Sequence, residues 1–237
     1  MNLFYTTHVI RSDSGEARSC VLEGSEAHHA THVLRMSTGD PLFATDGEGA
    51  LFDGVIESVE KEEVRISIRK ETVHTGPAPE ITIAVGLIKK RDRLEFAVEK
   101  AVELGVTRFV IFRGDRSEKK GVRVDRLQAA ALSAMKQSLR CWAPEVVEAD
   151  SVEEVLKQAE AKGIKTVIAD EQEEPGRIGR RTWNRFNQLL FVVGPEGGFS
   201  DRERELFQTV EADRFSLGRY RLRTETAVIA IAGLFQE

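Results

Sequence analysis

The passage from Phe191-Val192-Val193 into Gly194-Pro195-Glu196-Gly197-Gly198-Phe199-Ser200 constrains this chain more than any other stretch. A continuous apolar run entering a glycine-rich turn predicts a buried strand that ends at a loop of close approach. Ser200-Asp201-Arg202-Glu203 has capping-box spacing, with Ser200 as N-cap and Glu203 at the third helical position. The order is strand, glycine loop, helix, which is where open α/β sheets bind ligands. No Lys-Ser/Thr follows the glycines and the G-x-G-x-x-G spacing is absent, so phosphate-loop and dinucleotide fingerprints are excluded. For the glycine pair alone, a tight turn packed on a neighbour is an equal alternative to a ligand loop.

The rest of the second half fits that beginning. Ile81–Val85, Arg108–Phe112, Ile164–Ala169, Leu189–Val193 and Arg214–Leu217 read as strands. Between them lie helices. Leu94, Ala97, Val98, Ala101 and Val102 recur at helical spacing and end at Gly105. Arg126–Arg140 is expected to turn Leu127, Ala130, Ala134 and Met135 inward, and Val152, Val155, Leu156 and Ala159 mark another helix. Thr224–Phe235 is apolar nearly all round, with Thr224 as its expected N-cap. Strands alternating with helices imply a parallel sheet covered on both faces.

Residues 1–73 read differently, as small and mostly β. Gly39-Asp40-Pro41 and Asp46-Gly47-Glu48-Gly49 are turns, with short β runs at Leu42–Ala44, Leu51–Ile56 and the alternating Val64, Ile66 and Ile68. His28, His29, His32, Val33 and Leu34 fall on one short helix. His28 and His32 are four apart, but no third ligand lies near, so no metal is expected. Val73–Glu80, with two prolines and a glycine, is the expected linker.

Charge is divided unequally. The net of −5 separates into 7 Lys/Arg against 13 Asp/Glu over residues 1–76, and 27 against 26 over the remainder. The second part carries basic clusters at Lys89-Lys90-Arg91 with Arg93, at Arg177 with Arg180 and Arg181, and at Arg219, Arg221 and Arg223. Such clusters can track phosphates despite an acidic total, although each taken singly is also an ordinary solvated surface. No apolar run reaches the length of a membrane span, and the first residues lack the pattern of a signal peptide. Cys20 and Cys141 form no metal spacing or disulfide framework, which fits a cytoplasmic protein with reduced thiols.

The glycine loop followed by Leu217-Gly218-Arg219-Tyr220-Arg221-Leu222-Arg223-Thr224-Glu225-Thr226-Ala227 resembles the SPOUT class of RNA methyltransferases. Within that class it is similar to the RsmE type, which methylates N3 of a uridine in small-subunit (16S) ribosomal RNA. Lys100–Val106, and Gln137-Ser138 with Arg140 and Pro144, extend the resemblance over nearly the whole chain. It implies an α/β fold: a SPOUT-type parallel sheet with a C-terminal trefoil knot over 81–237. Ahead of it stand a PUA-like, RNA-contacting β-barrel over 1–73, matched by His32-Val33-Leu34-Arg35 and Gly39-Asp40, and a linker at 74–80. The cofactor implied is S-adenosyl-L-methionine. The partners implied are 16S rRNA, within the small ribosomal subunit, and a second copy of the chain, with no membrane and no metal.

The resemblance also assigns residues. Gly194, Pro195, Glu196, Gly197, Gly198, Leu217, Gly218, Leu222, Thr224 and Ala227 would line the cofactor pocket, with Asp170 either joining them or serving as a turn residue. Uracil N3 is a poor nucleophile until its proton leaves, so the site needs a base or a group that favours the anion. Arg223 is the candidate for the charge, and Glu196 or Glu225 for the proton. Glu225 is equally explained by the favourable dipole of a helix first turn. Arg35, Arg116, Arg140 and Arg219 are the candidate RNA contacts. Two departures from the family pattern stand out: Tyr220-Arg221, where an arginine and an apolar β-branched residue are expected, and Lys136, where an acid is expected. Two rival readings are a SPOUT enzyme acting on another base or a ribose 2′-hydroxyl, and an inactive RNA-binding ribosome-assembly factor.

Overall fold

A computed structural model of the chain describes residues 2–118, 121–173, 183 and 185–235. It divides into two compact units. One comprises Met1–Gly76 together with Met135–Ala143, and the other Pro77–Ala134 together with Pro144–Glu237.

The first unit is built on β1 (Leu3–Tyr5), β2 (His8–Arg11), β3 (Ala17–Glu23), α1 (Gly24–His28), β4 (Pro41–Thr45), β5 (Ala50–Val59) and β6 (Glu63–Val73). The strands form a six-stranded sheet in the order β1-β4-β5-β6-β3-β2. Only the β1–β4 pair in it is parallel. Alternation decides which faces turn inward: Ala50, Phe52, Gly54 and Ile56 of β5 are buried, as are Val64 and Ile66 of β6. With Phe4, Cys20, Leu22, Leu42 and Ala44 they make one apolar core. The short helix expected around His28 starts earlier, at Gly24, and passes at His29 into a π-helical turn that ends at Val33. There the His28 and His32 rings stack 4.6 Å apart.

Met135–Ala143 joins this unit through specific contacts, so the first unit is not a single stretch of chain. The amide of Gly49 donates to the Cys141 carbonyl at 2.8 Å, and that of Ala143 to the Gly47 carbonyl at 2.8 Å. The Trp142 ring lies so close to Gly49 that a Cβ there would stand 2.6 Å from it. Lys136 pairs with Glu26 where both side chains are mostly shielded from solvent. This accounts for a lysine where an acid was expected, since an acid would face the Glu26 carboxylate.

The second unit contains β7 (Glu80–Gly86), α2 (Arg91–Glu103), β8 (Arg108–Phe112), α3 (Val124–Gln137, whose last turn groups with the first unit), β9 (Glu145–Ala149), α4 (Val152–Ala161), β10 (Lys165–Ala169), β11 (Gln188–Val193), α5 (Asp201–Thr209), β12 (Ala212–Phe215) and α6 (Thr224–Gly233). Its sheet has the order β12-β10-β11-β7-β8-β9, and every pair is parallel. The strands are near-continuous apolar runs because both faces are covered. On one face α4 and α5 bury Val155, Leu156, Ala159, Phe199 and Phe207. On the other, α2 and α6 pack against each other, and α6 also packs on β11 and β7. Helix α3 buries Leu127, Ala134 and Met135 as expected, with Ala131 in place of the half-buried Ala130.

Register aligns the strand ends at one edge. Val193 of β11 stands opposite Val85 of β7 and Ala169 of β10, and Ala169 stands opposite Phe215 of β12. The chain therefore leaves β7, β10, β11 and β12 at nearly the same level, and the connecting loops gather there. No described helix is long and apolar enough to cross a membrane.

Candidate functional site

A cavity of about 500 Å³ opens at this edge. Its floor is the strand ends Ala169 and Val193. One wall is Gly194–Glu196 with Gly198 and Phe199, and the other is Ser216, Leu217 and Tyr220–Thr224 with Ala227. Lys89, Arg93, Glu118, Asp170 and Glu171 complete the lining. That volume lies within the range of small-molecule sites.

The glycine loop is held by what surrounds it. A Cβ at Gly86, the last residue of β7, would meet the ring Cδ and the backbone nitrogen of Pro195 at 2.5 Å, and one at Gly114 would meet the same ring at 3.2 Å. Bare backbone at both positions lets Pro195 seat against the sheet. Gly198 has φ +68°, a conformation that L side chains rarely adopt, and its amide donates to the Pro195 carbonyl at 2.9 Å. The capping box forms as expected. Ser200 Oγ accepts from the Glu203 amide at 3.1 Å, and Glu203 Oε2 accepts from the Ser200 amide at 2.7 Å. Glu203 is almost fully buried, and its Oε1 also accepts from the Asp115 amide at 3.1 Å. The Arg202 guanidinium and then the Ser200 hydroxyl hold the Asp115 carboxyl below the usual aspartate range.

The opposite wall is tied to the glycine loop. Thr224 Oγ1 donates to the Gly194 carbonyl at 3.1 Å. The expected N-cap role for Thr224 is thereby corrected. Arg223 occupies the N-cap position without a side-chain bond, and Thr224, inside the first turn, spends its hydroxyl on the loop. Arg221 reaches across to the Glu196 carbonyl at 3.4 Å and pairs with Glu171 at 2.8 Å.

Most of the anticipated cofactor residues meet here: Asp170, Gly194, Pro195, Glu196, Gly198, Leu217, Leu222, Thr224 and Ala227 all line the cavity. Gly197 and Gly218 do not. A Cβ on Gly197 would meet Arg116 Cβ at 2.9 Å, so the bare position there accommodates Arg116. Gly218 lies just beyond the wall and accepts from Ser216 Oγ at 3.0 Å. Asp170 has its carboxylate committed to Arg204, with Nε at 2.7 Å and Nη2 at 3.2 Å, while Arg204 Nη1 donates to the Phe199 carbonyl at 2.7 Å. Asp170 is a brace under the loop as well as part of the lining.

The anticipated reactive groups separate. Arg223 is exposed on the cavity wall, and among the described residues its side chain makes no ion pair. Glu196 lines the cavity, and its Oε2 accepts from the Lys89 amide at 2.8 Å. Glu225 does not line it. This residue is 9% exposed, and its Oε1 lies 3.5 Å from Arg93 Nε, while its Oε2 has no partner among the described residues. Arg93 is thus the cavity residue and Glu225 the group behind it.

Of the expected RNA contacts, Arg116 donates to the Gly197 carbonyl at 3.2 Å, and Arg219 is exposed beside the cavity wall without lining it. Arg35 and Arg140 belong to the first unit. Arg35 is exposed with φ 55°, and burial pulls the Arg140 pKa below its usual value. The cluster Arg177, Arg180 and Arg181 lies outside the described residues. Among the described residues no group of three or more His, Cys, Asp or Glu is placed to hold a metal.

In the sequence Lys89 and Arg93 stand out only as part of a basic cluster, and nothing marks Glu118, Glu171 or Ser216. A glycine closing β7 was the available signal for Gly86.

Comparison with known proteins gives a consistent result. Residues 76–236 match the RNA methyltransferase domain family, and residues 22–69 match the RNA methyltransferase PUA domain. Ribosomal RNA small subunit methyltransferase E of Mycobacterium tuberculosis is 31% identical over 223 residues, covering 90% of this chain and 84% of that protein. The protein of the same name from Bacillus subtilis is 29% identical over 235 residues, covering 94% and 91%. A crystal structure of ribosomal RNA small subunit methyltransferase E from Neisseria gonorrhoeae, bound to S-adenosyl methionine, superposes with a TM-score of 0.82 at 26% identity, covering 98% of this chain and 95% of that one.

The seat of Pro195 gives a direct test. Gly86→Ala forces backbone apart at the strand end, and overpacking of this kind costs about 1–3 kcal/mol. Among the described residues, a Cβ at Gly121 meets nothing within 4 Å. Thermal unfolding should show Tm lowered by roughly 2–12 °C for Gly86→Ala and by less than about 2 °C for Gly121→Ala.

Proposed function

The chain belongs to the RNA methyltransferase family, and from that premise we propose that it transfers a methyl group from S-adenosylmethionine to N3 of a uridine in small-subunit (16S) ribosomal RNA. The observation that carries this reading is the cavity at the strand ends, walled by the glycine loop and by the 216–224 segment that Thr224 ties to it.

The lining fits the cofactor. Val193, Phe199 and Ala227 are buried apolar surface suited to an adenine, and Gly194 and Gly198 leave backbone groups bare for close hydrogen bonding. When bound, the cofactor supplies an electrophilic methyl on a sulfonium. The chain supplies position and charge. Arg223 holds the negative charge that grows on a uracil carbonyl as the N3 proton leaves. Its planar fork presents several donors at once, which a lysine does not. Arg93, backed by Glu225, presents a second guanidinium to the same space. Three glutamates line the cavity. Glu118 is paired with Lys89 at 2.7 Å and Glu171 with Arg221 at 2.8 Å, so each is engaged with a cation. Glu196 makes no ion pair among the described residues, which leaves it as the acceptor for the proton.

Around this centre the reading extends to the whole chain. Residues 1–73 act as an RNA-contacting PUA-like barrel, 74–80 as a linker and 81–237 as the methyltransferase domain. The substrate is 16S rRNA within the small ribosomal subunit, and the protein works in the cytoplasm. Arg35, Arg140 and Arg219 contact RNA, with Arg116 at the loop. The C-terminal segment forms a trefoil knot. In support, the chain leaves the edge strand β12 and returns to the middle of the sheet, where Thr224 bonds Gly194 and α6 packs on β11 and β7.

The protein also works as a homodimer. Phe96 of α2 is 48% exposed, and Ile229 of α6 and Leu234 at its end remain partly exposed, apolar surface that a second copy would cover. Light scattering at micromolar concentration should give twice the 26.5 kDa chain mass, and a monomer would contradict the pairing.

For the chemical step, losing one such charge-stabilising donor typically slows turnover roughly 100- to 1,000-fold. Arg223→Ala should do so in single-turnover methyl transfer to small ribosomal subunits while cofactor affinity stays within a few-fold, and Arg223→Lys should recover little. Mass spectrometry of the RNA product should find N3-methyluridine. A 2′-O-methyl product, or an alanine variant at near wild-type rate, would overturn the assignment.

A further inference from the structure

Tyr220 is the most exposed large hydrophobic side chain among the described residues, at 77%. It lies on the cavity wall, not on a remote surface. A ring that exposed contributes nothing to the core, and among the described residues its hydroxyl makes no hydrogen bond. The segment carrying it is nevertheless held in place. On its N-terminal side the Phe215 carbonyl accepts from the Asp170 amide at 2.9 Å, and Ser216 Oγ donates to the Gly218 carbonyl at 3.0 Å. On the other side Arg221 is pinned by Glu171 and by the Glu196 carbonyl, and Thr224 is bonded to Gly194. An aromatic ring on a braced segment loses little conformational freedom when it meets a flat partner.

Its neighbours indicate what that partner is. Arg219, Arg221 and Arg223 alternate with Tyr220 and Leu222, and all five are exposed. Basic side chains interleaved with an aromatic are the combination that binds single-stranded nucleic acid, in which cations follow the phosphates and bases stack on the ring. The deeper lining is different in kind, since Val193, Phe199 and Ala227 are all buried. That part suits the compact cofactor, and the mouth is left for the polymer.

We propose that Tyr220 is a stacking platform at the cavity mouth, on which a base of the single-stranded RNA substrate lies so that the target uridine is presented to the cavity. Tyr220 is a positioning residue, and the inference rests on the RNA methyltransferase reading above. Base–aromatic stacking is worth roughly 5- to 150-fold in affinity.

The test compares Tyr220→Ala, Tyr220→Phe and wild type in two assays. KM for small ribosomal subunits is measured in steady-state methyl transfer, and Kd for a short oligouridylate is measured by fluorescence anisotropy. Tyr220→Ala should raise both by that factor, and Tyr220→Phe should keep both within about twofold, because the ring does the stacking. Calorimetric affinity for S-adenosylmethionine should stay within about twofold in both variants, which separates a base of the RNA from the adenine of the cofactor and reports that the pocket is folded. Unchanged RNA constants in Tyr220→Ala, an effect confined to kcat, or a tenfold loss of cofactor affinity would overturn the proposal. If wild type itself transfers no methyl group, the broader reading fails. The oligouridylate comparison then still decides whether Tyr220 stacks on RNA.

Discussion

Pro195 seated against the bare backbones of Gly86 and Gly114 is the constraint on which the site depends. A parallel sheet brings several strand ends to one level but leaves the loops beyond them free to wander. Here the proline ring fills the space that side chains at the ends of β7 and β8 would occupy, so the loop starts from a fixed point. Everything after it is referenced to that point: the Gly198 turn, the buried Glu203 that caps both α5 and the Asp115 amide, and the Thr224 hydroxyl on the Gly194 carbonyl. The Arg204–Asp170 pair then locks the end of β10 to the Phe199 carbonyl. The cavity is what these bonds leave open.

Charge around the cavity follows a consistent arrangement. Lys89 with Glu118 and Arg221 with Glu171 are solvent-exposed pairs, and such pairs contribute little to stability. Their effect is positional. They fix long side chains along the rim and leave Arg223 as the exposed guanidinium on the wall without a carboxylate among the described residues. Glu225 illustrates the opposite case. Being 9% exposed and behind Arg93, it serves that guanidinium more directly than it could serve a substrate. The lining itself carries four basic and four acidic side chains, so the exposed positive charge is that of the 219–223 segment, where Arg223 makes no ion pair among the described residues.

What was legible in the sequence was local. The capping box at Ser200 and Glu203 spans four residues, and the apolar run before Gly194 announces its strand without help from the rest of the chain. The site's position at the strand ends followed from those two features, and the family's motifs added the second wall. Long-range pairings were not legible. Gly197 looked like a ligand contact but accommodates Arg116, 81 positions away in sequence, and Thr224 looked like a cap but bonds a carbonyl 30 residues back. Asp170 reads as lining or turn, and its bond to Arg204, 34 positions on, is a long-range pairing that the local sequence does not announce. Strands β1, β2, β3 and β9 have no counterpart among the expected strands, and β2, short and mostly exposed, carries no apolar alternation. Lys136 was an anomaly until Glu26 stood opposite it.

The central claim is that the glycine loop and the 216–224 segment together form the S-adenosylmethionine site. Hydrogen exchange read by mass spectrometry, with and without S-adenosylmethionine, tests it most directly, because exchange reports local opening segment by segment. The account predicts that the cofactor slows exchange at the amides of 194–198 and 216–224 together, and leaves the first unit's sheet unchanged. Protection of only one of the two segments, protection located elsewhere, or no protection at saturating cofactor would contradict it.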